Sequence, residues 1–377
     1  MITRGRENHN LKITSFLSIV LTLISLTACQ PAQPSEPQPV FTHSTTEATA
    51  TPLPYPSTTP RVAATLPNRI ESFDISPDLS TIALATTGGV KLYDFKTLTY
   101  LRTLDAKESV VSLTWSHDGK KLAAGALVGY SDHAAARLAV WDTSTWQVVF
   151  EPKFGEEMNN ERILDIAWSP DDRSLAFSTD LDGVVVLDAR TGRRLSHQTG
   201  FASSVVDISW SPDGSRLVST SDMAYSIRRW IVSNNQAVRL FDPRVSNPMQ
   251  VAWSPDGKRI ASGHAYGGVC IWTAATNKCD GYIQAHRTAV FSLVWSPDGK
   301  KLATGGGVIR IWDMQTGKLL TAFGENEKVV YTHIAWPSNV APLVALETGL
   351  DDQSKTAVRY WDISTGTSAV EVVGTEP

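Results

Sequence analysis

One pentapeptide recurs along this chain at a nearly constant interval. Trp-Ser-Pro-Asp-Gly stands at Trp210–Gly214, Trp253–Gly257 and Trp295–Gly299. Degenerate copies begin at Ile75, Trp115, Trp168 and Trp336. The seven positions are separated by 40, 53, 42, 43, 42 and 41 residues. Such a period predicts repeated supersecondary units, each of which can bury its apolar faces only against its neighbours.

The sixth copy shows that each repeat encodes a four-stranded antiparallel sheet. Residues 289–295 are mostly β-branched and aromatic, which is typical of a buried strand. The next four residues, Ser-Pro-Asp-Gly, predict a turn, because proline restricts φ, aspartate accepts a backbone hydrogen bond and glycine tolerates positive φ. Further strands are predicted at 301–304, 308–312 and 318–323. The pentapeptide is therefore a hairpin corner that determines shape rather than chemistry.

A second landmark follows each corner. The landmarks are Tyr93-Asp94, Trp141-Asp142, Leu187-Asp188, Trp230-Ile231, Trp272-Thr273, Trp312-Asp313 and Trp361-Asp362. Over residues 68–377 this pattern resembles the WD40-repeat family, and the resemblance implies an all-β, seven-bladed WD40-type β-propeller that is monomeric. Tol-type periplasmic propellers repeat a similar corner, but the Trp-Asp landmark and the seven copies favour the WD40 pattern. Either Ser368–Val373 or Arg61–Thr65 supplies the outer strand that closes the ring, and we favour the former.

The same resemblance implies hydrogen-bonded networks of His, Ser or Thr, Asp and Trp inside the blades. His286, Thr304 and Trp312 match this pattern in the sixth repeat, where the intervening Gly-Gly-Gly turn supplies no aspartate. The second repeat has Asp132 and Trp141 but no matching histidine. We therefore expect incomplete networks.

Residues 1–28 predict an export signal. Arg4, Arg6 and Lys12 precede an uncharged, mostly apolar run from Ile13 to Ala28, which is shorter than the roughly 20 residues of a membrane-spanning helix. The ending Leu-Thr-Ala-Cys resembles the lipobox of bacterial lipoproteins. That resemblance implies cleavage before Cys29 and acylation of this cysteine, which would anchor the chain in a membrane. The alternative is an ordinary cleaved signal followed by a chance cysteine.

Residues 29–67 predict a lipid-anchored, disordered linker. They contain nine of the 20 prolines of the chain, mixed with Ser, Thr and Ala. Such a segment cannot bury enough apolar surface to fold, and its prolines keep it extended. The predicted organisation is thus a signal peptide at 1–28, this linker at 29–67 and the propeller at 68–377. We expect the propeller on the extracytoplasmic side of a bacterial membrane, either inner or outer.

Two cysteines lie in one predicted hairpin of the fifth repeat. Cys270 and Cys279 fall on the same face of the sheet and are diagonally offset, which is near the limit for a disulfide. Because an exported chain permits disulfides, a bridge is one possibility and two buried thiols are the other.

The loops between the second and third strands and between blades vary in length, and they share one face of the predicted propeller. Binding residues concentrate on loops carried by a rigid scaffold. Tyr, Met and Arg are favoured interface residues. We expect this face to bind an unidentified envelope protein or peptide, with drift in exposed loops as the alternative. The candidate anchors are Tyr130, His133, Met158, Arg162, Tyr225 and Tyr266.

Motifs for chemistry are missing from the sequence. It contains no Gly-x-Ser-x-Gly elbow, His-Glu-x-x-His helix or phosphate loop, so no catalytic residue, metal site or cofactor is predicted. The formal charge is −4, and no basic stripe predicts a nucleic-acid surface. The expected function is a non-catalytic, membrane-anchored scaffold for protein–protein interaction in the cell envelope. The alternatives are a propeller hydrolase, or a propeller that binds a small ligand or glycan in its central channel. Titratable residues at the channel mouth would favour these alternatives.

Overall fold

The computed structural model describes residues 61–66, 68–105, 109–128, 135–152, 154, 161–181, 183–201, 204–221, 226–244, 247–324, 328–339, 342–351, 356–363 and 368–374. All of them belong to residues 40–377, one of two compact units of the chain. The regular secondary structure of this described part consists of β-strands alone. No helical segment that could span a membrane is therefore found within it.

The described strands form seven sheets, which we call blades one to seven. Blades one to three are β2–β5 (Ile70–Ile75, Thr81–Thr86, Gly89–Asp94, Tyr100–Leu104), β6–β9 (Ser109–Trp115, Lys121–Val128, Ala135–Asp142, Val148–Phe150) and β10–β13 (Ile163–Trp168, Ser174–Thr179, Val184–Asp188, Arg194–Gln198). Blades four to six are β14–β17 (Val205–Trp210, Arg216–Ser221, Ser226–Ile231, Gln236–Leu240), β18–β21 (Pro248–Trp253, Arg259–His264, Gly268–Thr273, Lys278–Gln284) and β22–β25 (Ser292–Trp295, Lys301–Gly305, Ile309–Asp313, Leu319–Phe323). Blade seven is β26–β29 (Val329–Ala335, Leu343–Gly349, Thr356–Trp361, Ser368–Gly374), joined by β1 (Arg61–Leu66). The predicted all-β, seven-bladed propeller is confirmed.

The first strand of each blade is the innermost. These seven strands contact one another in order around the ring, and the last, β26, contacts the first, β2. Apolar side chains fill the space between neighbouring blades. Between blades one and seven, for example, Leu84 and Val358 share one buried cluster, and the rings of Phe95 and Tyr360 lie 5.3 Å apart. Because each fully buried side chain of this size contributes about 1.5–3 kcal/mol, the blades stabilise one another.

The recurring pentapeptide forms the corner between the first and second strands. In blade six the Ser296 hydroxyl donates to Asp298 Oδ1 at 2.6 Å, and the Lys301 N–H donates to Ser296 Oγ at 2.9 Å. Asp298 Oδ1 also accepts the Lys300 N–H at 3.0 Å, and Gly299 has a φ of +67°. These contacts confirm the predicted roles of aspartate and glycine. They add a role for serine, which joins the two strands through one hydroxyl.

Corners of adjacent blades contact each other, and one such contact explains two irregular copies of the motif. A Cβ added to Gly214 would lie 3.7 Å from the Pro170 side chain of the preceding blade. Between blades two and three, His117 replaces this proline and Asp172 replaces this glycine. Asp172 accepts the backbone N–H of His117 at 2.8 Å, and its carboxylate lies 2.9 Å from His117 Nδ1. The two exchanges compensate each other, because histidine has the backbone N–H that proline lacks.

Both ends of the described chain meet at blade seven. β29 pairs with β28 in the antiparallel sense and is the fourth strand, as we favoured from the sequence. β1 then pairs with β29 in the parallel sense as a fifth strand. Residues 61–66, which the predicted organisation places in the linker and which were the alternative closing segment, form this added strand. The outer edge of β29 offers unpaired backbone groups that an extended segment can satisfy. Blades one and seven are also joined by a hydrogen bond, in which the Ile70 N–H on β2 donates to Thr356 Oγ1 on β28 at 2.9 Å.

Candidate functional site

Two of the six predicted anchors lie in the described part of the chain, and they differ in their surroundings. Arg162 stands before β10, where its Nε donates to Asp180 Oδ2 at 2.7 Å and its backbone N–H donates to Asp180 Oδ1 at 2.8 Å. This arginine therefore connects two loops of blade three. Tyr266, in the turn between β19 and β20, is 56% exposed, and its carbonyl accepts the Gln284 side-chain amide at 2.9 Å. The side chain of Tyr266 is thus exposed to solvent, while a hydrogen bond from Gln284 fixes its backbone.

The other four predicted anchors lie outside the described residues. They are Tyr130, His133, Met158 and Tyr225. The same is true of Cys29 and of Asp132. The grouping of the six anchors on one face therefore stays a prediction.

The structure joins Cys270 and Cys279 through their sulfur atoms, with the Cα atoms 5.8 Å apart. Cys279 lies opposite Trp272 in the sheet, which places Cys270 diagonally across from it. Asp242 approaches both sulfurs within 4.8 Å. Disulfide sulfurs are not thiolate ligands, and Asp242 accepts a hydrogen bond from Arg244 at 2.7 Å, so this group does not suit a cation.

The histidine network implied for blade six is present. The hydroxyl of Thr304 lies 2.9 Å from His286 Nε2 and accepts the Trp312 indole N–H at 3.0 Å. Burial, and then the nearby Arg310 cation, lower the pKa of His286 to about 3, so the ring is neutral at physiological pH. Glycine at position 306 makes room for this ring, because an added Cβ would lie 2.6 Å from His286 Nδ1.

Blade five contains a second network, which the sequence did not reveal. The Ser262 hydroxyl lies 2.8 Å from His264 Nε2 and accepts the Trp272 indole N–H at 2.8 Å. The histidine is on the second strand here, whereas in blade six it precedes the first strand. A search for the usual order of residues therefore misses it.

These hydroxyl–histidine pairs have the composition of a nucleophile and its base, but not the access. Ser262 and Thr304 are 0% exposed, and His264 and His286 are 2% and 3% exposed. Each hydroxyl also accepts an indole N–H from within its own blade. Both networks therefore tie strands together in the blade interior, where a substrate has no entry.

Three aspartates on innermost strands connect one blade to the next. Asp74 accepts the Trp115 N–H at 2.8 Å, Asp165 accepts the Ile208 N–H at 3.0 Å, and Asp207 accepts the Val251 N–H at 2.5 Å. An innermost strand has an open edge at the centre of the ring, so its N–H groups need acceptors. The carboxylates supply them between blades one and two, three and four, and four and five.

Burial shifts the pKa of each group at this centre. Removal from water raises the pKa of Asp74 to about 6, against the effect of its hydrogen bonds to Trp115 and Ile75. Burial also raises the pKa of Asp165 and of Asp207, and the Asp165 charge raises that of Asp207 further. The two carboxyl groups therefore interact, which opposes ionisation of Asp207. Burial lowers the pKa of His333 on β26 to about 4.

Titratable residues thus do line the centre of the ring, which is the feature that would favour a channel site. The three aspartates, however, are already engaged by backbone N–H groups of the neighbouring blade. A ligand would have to displace these bonds. The positions of these three aspartates are explained by the hydrogen bonds that align neighbouring blades.

Comparisons with known families agree with this geometry. Residues 244–273 and 277–313, which cover most of blades five and six, match the WD domain, G-beta repeat. Residues 134–213 match the anaphase-promoting complex subunit 4 WD40 domain. No curated protein matched the chain. The matched G-beta repeats include the two blades that carry the buried histidine networks.

Proposed function

We propose that this chain, a WD40-repeat protein with a seven-bladed propeller, is a non-catalytic platform for protein–protein interaction, held on the outer side of a bacterial membrane by acylated Cys29. WD40 propellers commonly mediate protein–protein interaction and are typically non-catalytic scaffolds. The finer parts of the proposal are the anchor, the envelope location and the loop face that binds the partner.

One observation carries the proposal. The buried hydroxyl–histidine pairs and the central aspartates are bonded within or between blades, and they leave a closed scaffold whose loops differ from blade to blade. Rigid scaffolds with variable loops are suited to binding, because the loops lose little entropy when the partner docks. Tyr266 is one exposed aromatic residue on such a loop, and Tyr130 and His133 fall between β7 and β8, in the loop region of blade two that is longer than its counterpart in blade six. We place the partner on this face.

The anchor rests on the amino-terminal sequence. Acyl chains contribute roughly 0.8 kcal/mol for each buried methylene, and stable anchoring needs more than one chain. Residues 30–60 would then separate the propeller from the membrane, since proline-rich segments extend by about 3.1 Å per residue. We also propose that the Cys270–Cys279 bridge forms after export, where the environment is oxidising.

The test is crosslinking in intact cells, followed by affinity capture of the full chain. We expect the double variant Tyr130→Ala, His133→Ala to lose a partner that the wild type captures. A matched control, Lys258→Ala with Lys300→Ala, alters exposed residues on the opposite face and should retain it. An unchanged partner list in the first variant would reject this face. Fractionation of a Cys29→Ser variant tests the anchor, because a chain that stays in the membrane fraction is not held there by Cys29.

A second candidate function rests on the pair Asp165 and Asp207. Two interacting carboxyls with raised pKa values, on neighbouring innermost strands, are a possible site for a small polar ligand, as in the channel alternative. Loss of partner capture in the loop-face variant would favour the platform. Retention of a small molecule by the purified chain, abolished by Asp207→Asn, would favour the channel.

A further inference from the structure

The direction of β1 determines where the amino-terminal part of the chain reaches the propeller. β1 pairs with β29 in the parallel sense, and β29 follows the turn that joins the third and fourth strands of blade seven. Arg61 lies beside Val370, close to that turn, whereas Leu66 lies beside Gly374 at the far end of β29. That turn is on the same face as the Ser-Pro-Asp-Gly corners, because successive turns of an antiparallel sheet alternate between its two ends. The chain therefore enters the propeller on this face, which we call the corner face.

Exposed apolar side chains lie on both sides of this point of entry. Blade seven stands between blades six and one, since β26 contacts both β22 and β2. In blade one, Tyr100 and Leu101 are exposed at the corner end of β5. In blade six, Leu319 and Leu320 are exposed at the corner end of β25. We call these four residues the tether rim, because they flank the strand through which the amino-terminal linker reaches the propeller.

The tether rim has the composition of a surface that lies in a membrane interface. Such surfaces combine leucine and aromatic side chains, which enter the boundary between headgroups and acyl chains, with basic residues beside them. Lys318 directly precedes Leu319, Lys96 lies in the turn before Tyr100, and both lysines are exposed. A lysine lays its methylene stem along apolar surface and keeps its ammonium group in a polar environment. Tyrosine suits the same boundary, because its ring is apolar and its hydroxyl is polar.

The two faces of the propeller differ in charge. The connections between strands on the corner face contain eight acidic and eight basic residues. The connections on the loop face contain fifteen acidic and eight basic residues. A bilayer that contains anionic lipids repels the acidic face more strongly than the balanced one. Charge therefore favours the same orientation as the direction of β1, with the corner face nearer to the lipid.

Exposed apolar residues on other outer strands do not lie beside the point of entry. Leu195 on β13 of blade three is the positional equivalent of Leu320 on β25, because both lie at the register shift near the start of the fourth strand. Leu195 is 44% exposed and Leu320 is 49% exposed. Blade three, however, is separated from blade seven by blades one and two on one side and by blades four to six on the other. The two leucines thus share a local structure and differ in their position relative to the point of entry.

We propose that the tether rim contacts the bilayer in which Cys29 is anchored, so that the corner face is turned toward the membrane and the loop face away from it. This inference rests on the proposed function, since the acylated Cys29 keeps the tether rim close to the membrane. It adds an orientation to that function. The loop face, with the exposed Tyr266, points away from the lipid and is open to a partner.

The experiment measures how strongly spin-labelled lipids quench a fluorophore attached to the full, acylated chain in vesicles of phosphatidylcholine and phosphatidylglycerol. One variant carries the fluorophore at Gln315→Cys, in the exposed turn before β25, and another at Thr288→Cys, which is exposed on the loop face. Cys270 and Cys279 are bridged and Cys29 is acylated under the proposed function, so the introduced cysteine supplies the thiol for labelling. Interfacial surfaces reach about 5–10 Å into the headgroup region, so we expect quenching at Gln315→Cys to exceed that at Thr288→Cys by about threefold or more.

A substitution in the tether rim separates contact with the membrane from the effect of the anchor alone. In the chain labelled at Gln315→Cys, Leu320→Glu places a charge against the apolar part of the bilayer, so we expect quenching to fall by about twofold or more. Leu195→Glu is the matched control, because it adds the same charge at the equivalent position of blade three, and it should leave the quenching unchanged. Equal losses of quenching in the two variants would overturn the proposal.

Failure of this inference can be told apart from failure of the anchor. A chain that floats with the vesicles but is quenched equally at the two labelled positions, or more strongly at Thr288→Cys, overturns the inference and leaves the anchor standing. A chain that does not float with the vesicles overturns the anchor and the inference together. If quenching is equal and Leu320→Glu converts an oligomer into a monomer in detergent, a second copy of the chain covers the tether rim instead of the membrane.

Discussion

Aspartates at the corners and aspartates at the centre of the ring show how one residue type performs two structural tasks. At a corner, Asp298 accepts the Ser296 hydroxyl and the Lys300 N–H, and these bonds lower its pKa. At the centre, Asp74 and Asp207 also accept N–H groups, but burial outweighs those bonds and raises the pKa. Hydrogen bonding is common to both regions. The difference lies in solvent, which screens the corners and is largely removed from the centre.

The difference has a consequence for assembly of the ring. Corner bonds join residues within five positions of each other, so they form as soon as one hairpin forms. Central bonds join residues 41 to 44 positions apart, so they form only when two blades stack. Corner aspartates therefore define each blade, whereas central aspartates connect blades. Substitutions at corner aspartates and at central aspartates should therefore change the free energy of unfolding by different amounts.

The largest expected effect is that the contributions of the two regions to the free energy of unfolding depend on pH in opposite directions. The pKa of Asp74 is raised to about 6, so the folded state binds its proton more tightly than the unfolded state does. The stability that this group contributes is present below about pH 4 and is lost as pH rises through about 6. We expect the free energy of unfolding of the wild type to fall by up to about 3 kcal/mol between pH 4 and pH 7, relative to Asp74→Asn.

Urea unfolding, followed by tryptophan fluorescence over this pH range, measures the effect. Asp298→Asn is the control. The pKa of Asp298 is lowered by its hydrogen bond from Ser296, so the stability that it contributes is present above its ordinary pKa and lost only in acid. Parallel curves for wild type and Asp74→Asn between pH 4 and pH 7 would contradict the assignment.

A smaller effect is expected from removal of one central carboxyl at constant pH. Asp207→Ala leaves the buried Val251 N–H without its acceptor, so we expect a loss of about 2 kcal/mol at pH 7. Ser209→Ala is a matched control on the same strand. The Ser209 hydroxyl accepts the Trp253 N–H at 3.1 Å, and its loss should cost about 1 kcal/mol. If the two variants lost the same free energy of unfolding, the carboxyl of Asp207 would contribute no more to stability than an ordinary hydrogen-bond acceptor.

The smallest effect is expected at a corner. Asp298→Ala removes an acceptor for Ser296 and Lys300, but water replaces it, so the loss should be about 0.5–1 kcal/mol at pH 7. Thermal unfolding of wild type, Asp298→Ala and Ser296→Ala measures it. Ser296 bridges both strands of the corner, and its removal should lower the melting temperature at least as much. A loss at Asp298 as large as that at Asp207 would remove the distinction between the regions.

Much of the fold was predictable, because its signals are local. The number of blades and the corners follow from short stretches that repeat at one interval. The network of His286, Thr304 and Trp312 was implied by the family resemblance that these repeats carry. The network of Ser262, His264 and Trp272 was missed because its histidine occupies a different strand.

The candidate site was less predictable than the fold. Arg162 was proposed as a partner anchor, yet its guanidinium binds Asp180, and a pattern of loop residues does not show which of them are paired. Tyr266 is exposed as expected for an anchor. The exposure of a loop side chain depends on the loops of neighbouring blades, and their positions are not encoded in the loop itself.

By itself, the sequence determined the repeat, its period and the turn chemistry of each corner, because these depend on residues close together in the chain. The position of β1 on blade seven, the compensation between His117 and Asp172, and the links that central aspartates make between blades all depend on the folded ring. These contacts bring together residues about one repeat or more apart. Their partners are set by how the blades stack, and stacking is a property of the closed ring rather than of any single repeat.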